Sequence, residues 1–517
     1  MSQPNVLFIL SDDTDPDYLG CYGGSYLTPN LDALRADGIQ MMQAHVATPI
    51  CCPSRYNYFT GHYACRGIRE KTEADAEARV TDVGFNAVIS PGEDHLAALL
   101  QRNGYVTGFT GKCHMGRSRR EIGAASLPAD GDPRNPEVEA VMRANQQCYL
   151  EELRRIGFDY AASVTWGNID DGVPRAAWIH NQEWITAGAL DFLRRHGKGE
   201  KPFFLHMATN VIHGPEHAAN IVDLDPTLCY GGRLREDPTP AHGTGRQSLL
   251  DRLKDAGVPA THRSVGMLWL DDAIGALVRE LKESGQYDNT LIVFAADHGV
   301  EGKFSTHASG TRVPCLWKLP GSVRAGHRAR PHVQNVDFLP TLADFLGLEA
   351  GVPSCDGTSY LPVLEGSQEA TREDLYFEFG TQRAVQTRDW KYIAFRYHPE
   401  AIEAMRSGQS TALNPAGRTG ISRAQKMHPG AWDPDQLYDR LRDPGERMNM
   451  AGWDQNHAVL ADMKARLRRY TTEMNPAFPG EADPFQHSAQ FRELTRAATA
   501  VDLCDLPNQP WYAEGWY

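Results

Sequence analysis

Two unbroken apolar runs constrain this chain more than any other feature. Val6 to Leu10 contains no polar residue, and neither does Leu291 to Ala296. A strand with one wet face alternates polar and apolar residues. A strand without polar positions is buried on both sides, as in parallel sheets covered by helices. Both runs stop at charge, the first at Asp12-Asp13 and the second at Asp297-His298. Between them, strand-like segments at 106–110 and 202–208 alternate with helix-like segments at 29–37, 95–100 and 263–284. Thr28, Pro29 and Gly38 bracket the first helix as cap, first turn and stop. Ser90 to Glu93 has the form of a capping box for the second, with Pro91 at the first helical position. The expected fold is α/β, with a large, mostly parallel central sheet flanked by helices. Ligands of such sheets lie beyond the carboxyl ends of the strands, where both charged pairs fall.

The pattern changes near residue 370. Segments 374–379, 383–387 and 390–395 read as a meander, 398–430 as a polar loop, 436–439 as a last strand and 455–474 as a helix. This predicts a smaller C-terminal α+β subdomain containing an antiparallel sheet. The expected division is 1–372, 373–482 and a tail at 483–517. Trp511, Tyr512, Trp516 and Tyr517 in that tail suit docking on this chain or on a second copy in a homo-oligomer, two readings that stand level.

The net charge of −14 argues against nucleic acid as a partner, since phosphate backbones require clustered Lys and Arg. A small anionic substrate is compatible with it. The start, Met1-Ser2-Gln3-Pro4, passes directly into an apolar run too short to span a membrane. The expectation is a soluble, cytoplasmic protein without a membrane partner; a trimmed periplasmic or secreted form would begin the same way. Ten cysteines without a CxxC pair read as mostly reduced thiols.

Asp12, Asp13, Asp297 and His298 offer carboxylate oxygens and an imidazole, a donor set for a hard divalent cation. Taken singly, an Asp-Asp pair is more often a cap or a turn, the reading given to Asp15 and Asp17. Cys51-Cys52-Pro53-Ser54-Arg55, followed by Phe59-Thr60-Gly61, resembles at every fixed position the motif C-x-P-S-R-x-x-x-[LF]-T-G. That motif belongs to the type I, formylglycine-dependent sulfatases of the alkaline phosphatase superfamily. Gly111-Lys112-Cys113-His114-Met115-Gly116 resembles the family's G-K-W-H-L-G, with cysteine in place of tryptophan. His213 follows the strand at 202–208, with Ile212 where the family has proline; His206 and His217 compete for its place. Lys303 stands nine residues before Arg312-Val313-Pro314, as in the family, but Ala308 or Ser309 occupies the place of an expected acid. Trp390-Lys391-Tyr392 and the segment Leu437 to Glu446 resemble the family's W-K-Y and L-Y-D-L-x-x-D-P-x-E.

The resemblance implies a sulfuric ester hydrolase whose Cys51 is oxidised to formylglycine by a formylglycine-generating or equivalent maturation enzyme. It implies Arg55, Lys112, His114, His213 and Lys303 as further catalytic residues. It implies Asp12, Asp13, Asp297, His298 and modified Cys51 as ligands of one divalent cation. That cation is expected to be calcium, with manganese or magnesium kept open by His298. The hydrated aldehyde would attack sulfur, with Asp297 as a candidate base. His213, with or without Lys303, would protonate the leaving alcohol, and His114 would help to expel sulfate. Cys52 fills a variable position and is assigned no chemistry. Two further readings are carried. A phosphonate monoester or phosphodiester hydrolase shares this core and often has Asp-His at the second pair. A catalytically silent binding protein would show a damaged site.

Substrate identity is left to segments the motifs do not cover. These carry Arg117, Arg119, Arg120 and Trp166, then His217, Arg233, Arg235 and His242, then Arg406, Arg418 and Arg423. They suit a sulfated sugar, or equally a solvated surface; aryl and alkyl sulfates remain open.

Overall fold

The computed structural model describes residues 3–67, 83–90, 92–322, 324–348, 351–397, 399–407, 424, 426–474 and 478–499. The strands are β1 (Asn5–Ser11), β2 (Ile39–His45), β3 (Val106–Lys112), β4 (Tyr160–Thr165), β5 (Phe203–Ala208), the ribbon β6 (Leu228–Cys229) and β7 (Gly232–Arg233), β8 (Thr290–Ala296), β9 (Cys315–Lys318) and β10 (His327–Gln334). Eight of them form the central sheet in the order β10-β2-β9-β8-β1-β5-β3-β4. Neighbours are parallel except where β9 runs against β2 and β8.

The apolar run of β1 serves two cores at once. Val6, Phe8 and Leu10 pack into one, with Phe59, Leu99 and Phe338. Leu7 and Ile9 pack into the other, with Leu193, Leu268 and Phe294. β1 lies between β5 and β8, and its register pairs Ser11 with Ala296. That register is what sets Asp12 beside Asp297.

The first helix runs Pro29–Ala36, but Thr28 does not cap it; its hydroxyl accepts the Gly20 N–H at 2.9 Å. Asp271 does the capping from another helix, accepting the N–H groups of Asn30 at 2.9 Å and Leu31 at 2.8 Å. The helix expected from residue 95 runs Leu96–Arg102 with His95 before it. The Glu93 carboxylate takes the Ser90 N–H at 2.7 Å, so this contact closes a turn ahead of the helix. The long helix His262–Glu283 does begin with a box, made by Thr261 and Ser264.

A second sheet is the antiparallel meander β11 (Leu375–Phe379), β12 (Gln382–Gln386), β13 (Trp390–Phe395) and β14 (Asp435–Asp439). The helix His457–Met474 buries Met463 and Leu467 in the core that holds Tyr376 and Tyr392. Within the expected loop 398–430, residues Pro399–Arg406 are instead helical. Ile402 and Met405 pack with Phe395, Phe485 and Phe491, an apolar stripe too short to stand out among polar neighbours. Arg418, Arg423 and the aromatics of the tail, Trp511, Tyr512, Trp516 and Tyr517, lie outside the described residues. Among the described residues, no helix is long and apolar enough to cross a membrane.

Candidate active site

Cys51 is the first residue of the helix Cys51–Thr60, and its side chain is 1% exposed. Free N–H groups and the helix dipole favour negative charge at that end. Its Sγ lies 3.2 Å from Nε2 of His298. Burial alone would raise the thiol, but Lys112, Lys303, His298 and a hydrogen bond with His114 hold it well below the ordinary thiol range. Cys52 turns away, its Sγ donating to the Ala87 carbonyl at 3.0 Å, and burial pushes its thiol up. One turn on, Arg55 donates to Asp297 Oδ2 at 2.9 Å and to the Lys112 carbonyl at 3.2 Å. The Ser54 hydroxyl bonds the Asp297 carbonyl. The helix is thereby tied to the ends of β8 and β3.

Asp12 and Asp13 leave β1 where Asp297 and His298 leave β8. Lys112, the last residue of β3 and fully buried, donates to Asp12 Oδ2 at 2.6 Å and to Asn168 Oδ1 at 2.7 Å. Asp12 Oδ1 is buried, 3.7 Å from Arg55 Nη2, with no hydrogen-bond partner among the described residues. Asp13 Oδ1 accepts from Lys303 Nζ at 2.9 Å and lies 3.3 Å from His298 Nε2. Its Oδ2 is 4.0 Å from His213 Nε2, in the turn after β5. Asp297 Oδ1 accepts the Asp13 N–H at 3.2 Å.

The charges sort by neighbour. Burial pushes Asp12 and Asp13 upward, but Lys112 and Lys303 reverse this, and both carboxyls fall below their usual range. Burial and the nearby Asp12 raise Asp297 to about 7. Burial would lower His298, but Asp297 and Cys51 lift it to about 9. Burial holds His114 down at about 4. His114, His213, Lys303, Phe85 and Phe304 are each half-buried. Phe85 stacks on His114 with ring centroids 5.7 Å apart.

Donor atoms of Asp12, Asp13, Cys51 and His298 all lie within 4.8 Å of one another, and all four residues are buried. Two carboxylates, one of them with an orphaned oxygen, and an imidazole form a set that a divalent cation satisfies. Asp297 lies just outside that tight group, with its oxygens engaged by the Asp13 N–H and by Arg55. Asn168, which follows β4, is a member of the constellation that sequence reasoning missed. The signal was its place at the carboxyl end of a parallel strand.

Other candidates fall elsewhere. His206 is in the core between Phe8 and Phe59, and burial lowers it to about 3. Arg117 is paired with Glu152, Arg119 bonds the Asp171 carbonyl, and Trp166 stacks on Tyr149 at 5.2 Å. Each of these three side chains is engaged by contacts within the fold. His307, His428 and Glu446 also bring donor atoms together. All four ring nitrogens are already hydrogen-bonded there, to Ser305, Tyr438, Ser309 and the Glu446 carbonyl. Lys391 stands 3.5 Å from the Glu446 carboxylate and supplies the positive charge. Glu446 also accepts the Ala308 N–H at 2.8 Å, so a carboxylate from the C-terminal segment reaches the place where an acid was expected after Lys303.

Residues 4–348 match the sulfatase family model, and residues 296–409 match the model for the C-terminal region of N-sulphoglucosamine sulphohydrolase. Human arylsulfatase D is 24% identical over 555 aligned residues, covering 92% of this chain and 87% of that protein. A protein solved in complex with its substrate D-glucosamine-2-N,6-O-disulfate shares the fold, with a TM-score of 0.60, 20% identity, and coverage of 93% of this chain and 100% of that one. The phosphonate monoester hydrolase of Agrobacterium radiobacter does so with a TM-score of 0.56, 21% identity, and coverage of 91% and 96%. With its strand ends, its cysteine-headed helix and two thirds of its length matching one model, this chain belongs to the sulfatase family.

Proposed function

We propose that this sulfuric ester hydrolase removes sulfate from a hydroxyl of a carbohydrate or of an aryl alcohol, using Cys51 in its oxidised form. In this reading Asp12, Asp13, Asp297 and His298 hold one divalent cation, taken to be calcium. The observation that carries the proposal is the position of Cys51. It heads a helix among the donor atoms of Asp12, Asp13 and His298, with Lys112 and Lys303 close enough to govern its charge. The oxidised side chain supplies a nucleophilic diol, and the cation supplies Lewis-acid neutralisation of the sulfuryl oxygens.

The remaining work falls to the chain's own side chains. Lys112 and Lys303 place fixed positive charge in a buried site, where it acts on developing negative charge without reorganising. Arg55 orients the Asp297 carboxylate at 2.9 Å. His213 delivers a proton from Nε2 to the departing oxygen. His114, kept neutral by burial, accepts a proton when sulfate is released. Phe85, stacked on His114, and Phe304, beside Lys303, are the flat apolar side chains next to the site that a sugar or an aryl ring would meet. Support for a sugar comes from the neighbour solved with a sulfated glucosamine. Cys51 is 1% exposed in the folded chain, so a maturation enzyme would act before this helix is packed.

The test is a panel of aryl, alkyl and defined sugar sulfates read by released sulfate, alongside intact-mass analysis of the Cys51 peptide. Cys51→Ala should abolish turnover on every ester, and full activity in that variant would sink the mechanism. A phosphonate monoester or phosphodiester hydrolase is the second reading, favoured by His298 within the donor set. Faster turnover of phosphonates or phosphodiesters than of any sulfate ester would select it.

A further inference from the structure

Behind the site, three histidines that the reaction does not use gather, and two of them meet at one backbone oxygen. His180 lies just before the helix Gln182–His196, His217 follows the turn after β5, and His262 opens the helix His262–Glu283. His180 Nε2 lies 2.7 Å from the carbonyl oxygen of His213, and His262 Nε2 lies 3.3 Å from the same oxygen. A carbonyl only accepts, so both Nε2 atoms carry protons. The other ring nitrogens agree. His262 Nδ1 accepts the Ala218 N–H at 3.1 Å, and His180 Nδ1 faces His217 Nε2 at 3.1 Å, which makes His217 the donor there. Burial keeps these rings neutral, with His180 well below the usual range and His217 at about 4. Each ring of the pair on the carbonyl therefore has one fixed tautomer.

The turn they grip is strained. Ile212 has φ 70, and a β-branched residue in the left-handed region persists only where its surroundings over-determine it. Those surroundings are close. A Cβ added at Gly266 would come within 2.7 Å of Ile212 Cγ2 and 2.9 Å of Val211 Cγ1. The next residue is His213, whose Nδ1 lies 2.9 Å from the Gly214 carbonyl and so carries a proton. Its Nε2 points the other way, toward Asp13.

We propose that His180 and His262 are positioning residues for the proton transfer made by His213. Their two N–H bonds on one carbonyl hold a strained turn so that Nε2 faces the departing oxygen. The proposal rests on His213 being the acid. It has a specific consequence. Protonation matters most for a poor leaving group, such as a sugar or alkyl alcohol, and little for 4-nitrophenolate. Loosening the grip should therefore slow alkyl and sugar sulfates and spare 4-nitrophenyl sulfate, whereas general damage to the fold would slow all of them.

The experiment compares kcat on an alkyl sulfate and on 4-nitrophenyl sulfate for the mature enzyme and for His180→Leu, His262→Leu, His180→Gln and His213→Ala. Both rates are taken on one preparation, so their ratio is independent of how much of a variant folds. For the leucine variants, kcat on the alkyl ester should fall by about 10- to 100-fold, and on the aryl ester by no more than about threefold. His180→Gln, whose amide nitrogen reaches the place of Nε2, should recover most of the loss. If His213→Ala slows both esters equally, the assignment of His213 as the acid fails. If His213→Ala discriminates between the esters and the His180 and His262 variants do not, the grip on the carbonyl is overturned and His213 stands.

Discussion

Lys112 Nζ donates to Asp12 Oδ2 at 2.6 Å, with both side chains fully out of solvent. A buried pair broken on one side leaves a charge that nothing compensates, at a cost of about 3–5 kcal/mol. Arg55 Nη2, 3.7 Å from Asp12 Oδ1, compensates part of the charge left behind, so Lys112→Met should destabilise the cation-free protein by up to about that amount. A bound divalent cation would neutralise Asp12 in its place. Denaturant unfolding in chelator should show the full loss, and saturating calcium should recover part of it. Equal losses in both conditions would mean that Asp12 does not face the cation.

His298 brings a nitrogen among carboxylate oxygens, 3.3 Å from Asp13 Oδ1. Imidazole favours transition metals, whereas an amide oxygen suits calcium. His298→Asn should weaken manganese binding by at least about 10-fold, the loss seen even for partners that only orient a ligand. Calcium binding should change far less. Calorimetric titration of both ions into the chelator-treated protein gives the two affinities.

Glu152 gives a prediction about pH. Burial would raise its carboxyl, but hydrogen bonds from Arg117 and Arg155 bring it from an ordinary 4.5 to about 2. The folded value lies below the unfolded one, so the stabilisation is complete above pH 4.5 and fades as pH falls from there toward 2. Glu152→Gln should lower Tm at pH 7 and progressively less below pH 4.5. A gap between wild type and variant that stays constant from pH 7 to pH 3.5 would show that the pairing does not set this limb.

What could be read in advance was whatever the chain writes locally. Val6 to Leu10 of β1 and Leu291 to Ala296 of β8 are apolar throughout and are followed by charge, so their burial on both faces and the residues beyond their ends follow from sequence alone. β4 reads Tyr160-Ala161-Ala162-Ser163-Val164-Thr165, too poor in large apolar side chains to announce a strand. Asn168 behind it was missed for that reason. β2, with Gln40 and Gln43 among its residues, was hidden in the same way. The cap of the first helix is Asp271, more than two hundred residues away, and no local pattern carries it. His180 and His262 are invisible for the same cause: each bonds a carbonyl supplied by a distant turn. Local residue types announce chemistry, and tertiary partners decide how that chemistry is held.

Gly111 joins the two levels. It has φ 91, and a Cβ there would lie 1.7 Å from the Ala208 carbonyl oxygen on β5. Only a residue without a side chain lets β3 pass β5 this closely and then present Lys112 to Asp12. Gly111→Ala carries the left-handed backbone cost, about 1–2 kcal/mol, and also forces the two strands apart. The strand ends that carry Lys112 and His213 would separate with them. The expected outcome is a loss of at least about 2 kcal/mol in stability, together with weaker cation binding, because Asp12 loses its partner. Chemical denaturation and calcium titration on the same variant test both halves. A destabilised Gly111→Ala protein with unchanged calcium affinity would show that the register of β3 against β5 does not set the geometry of the site.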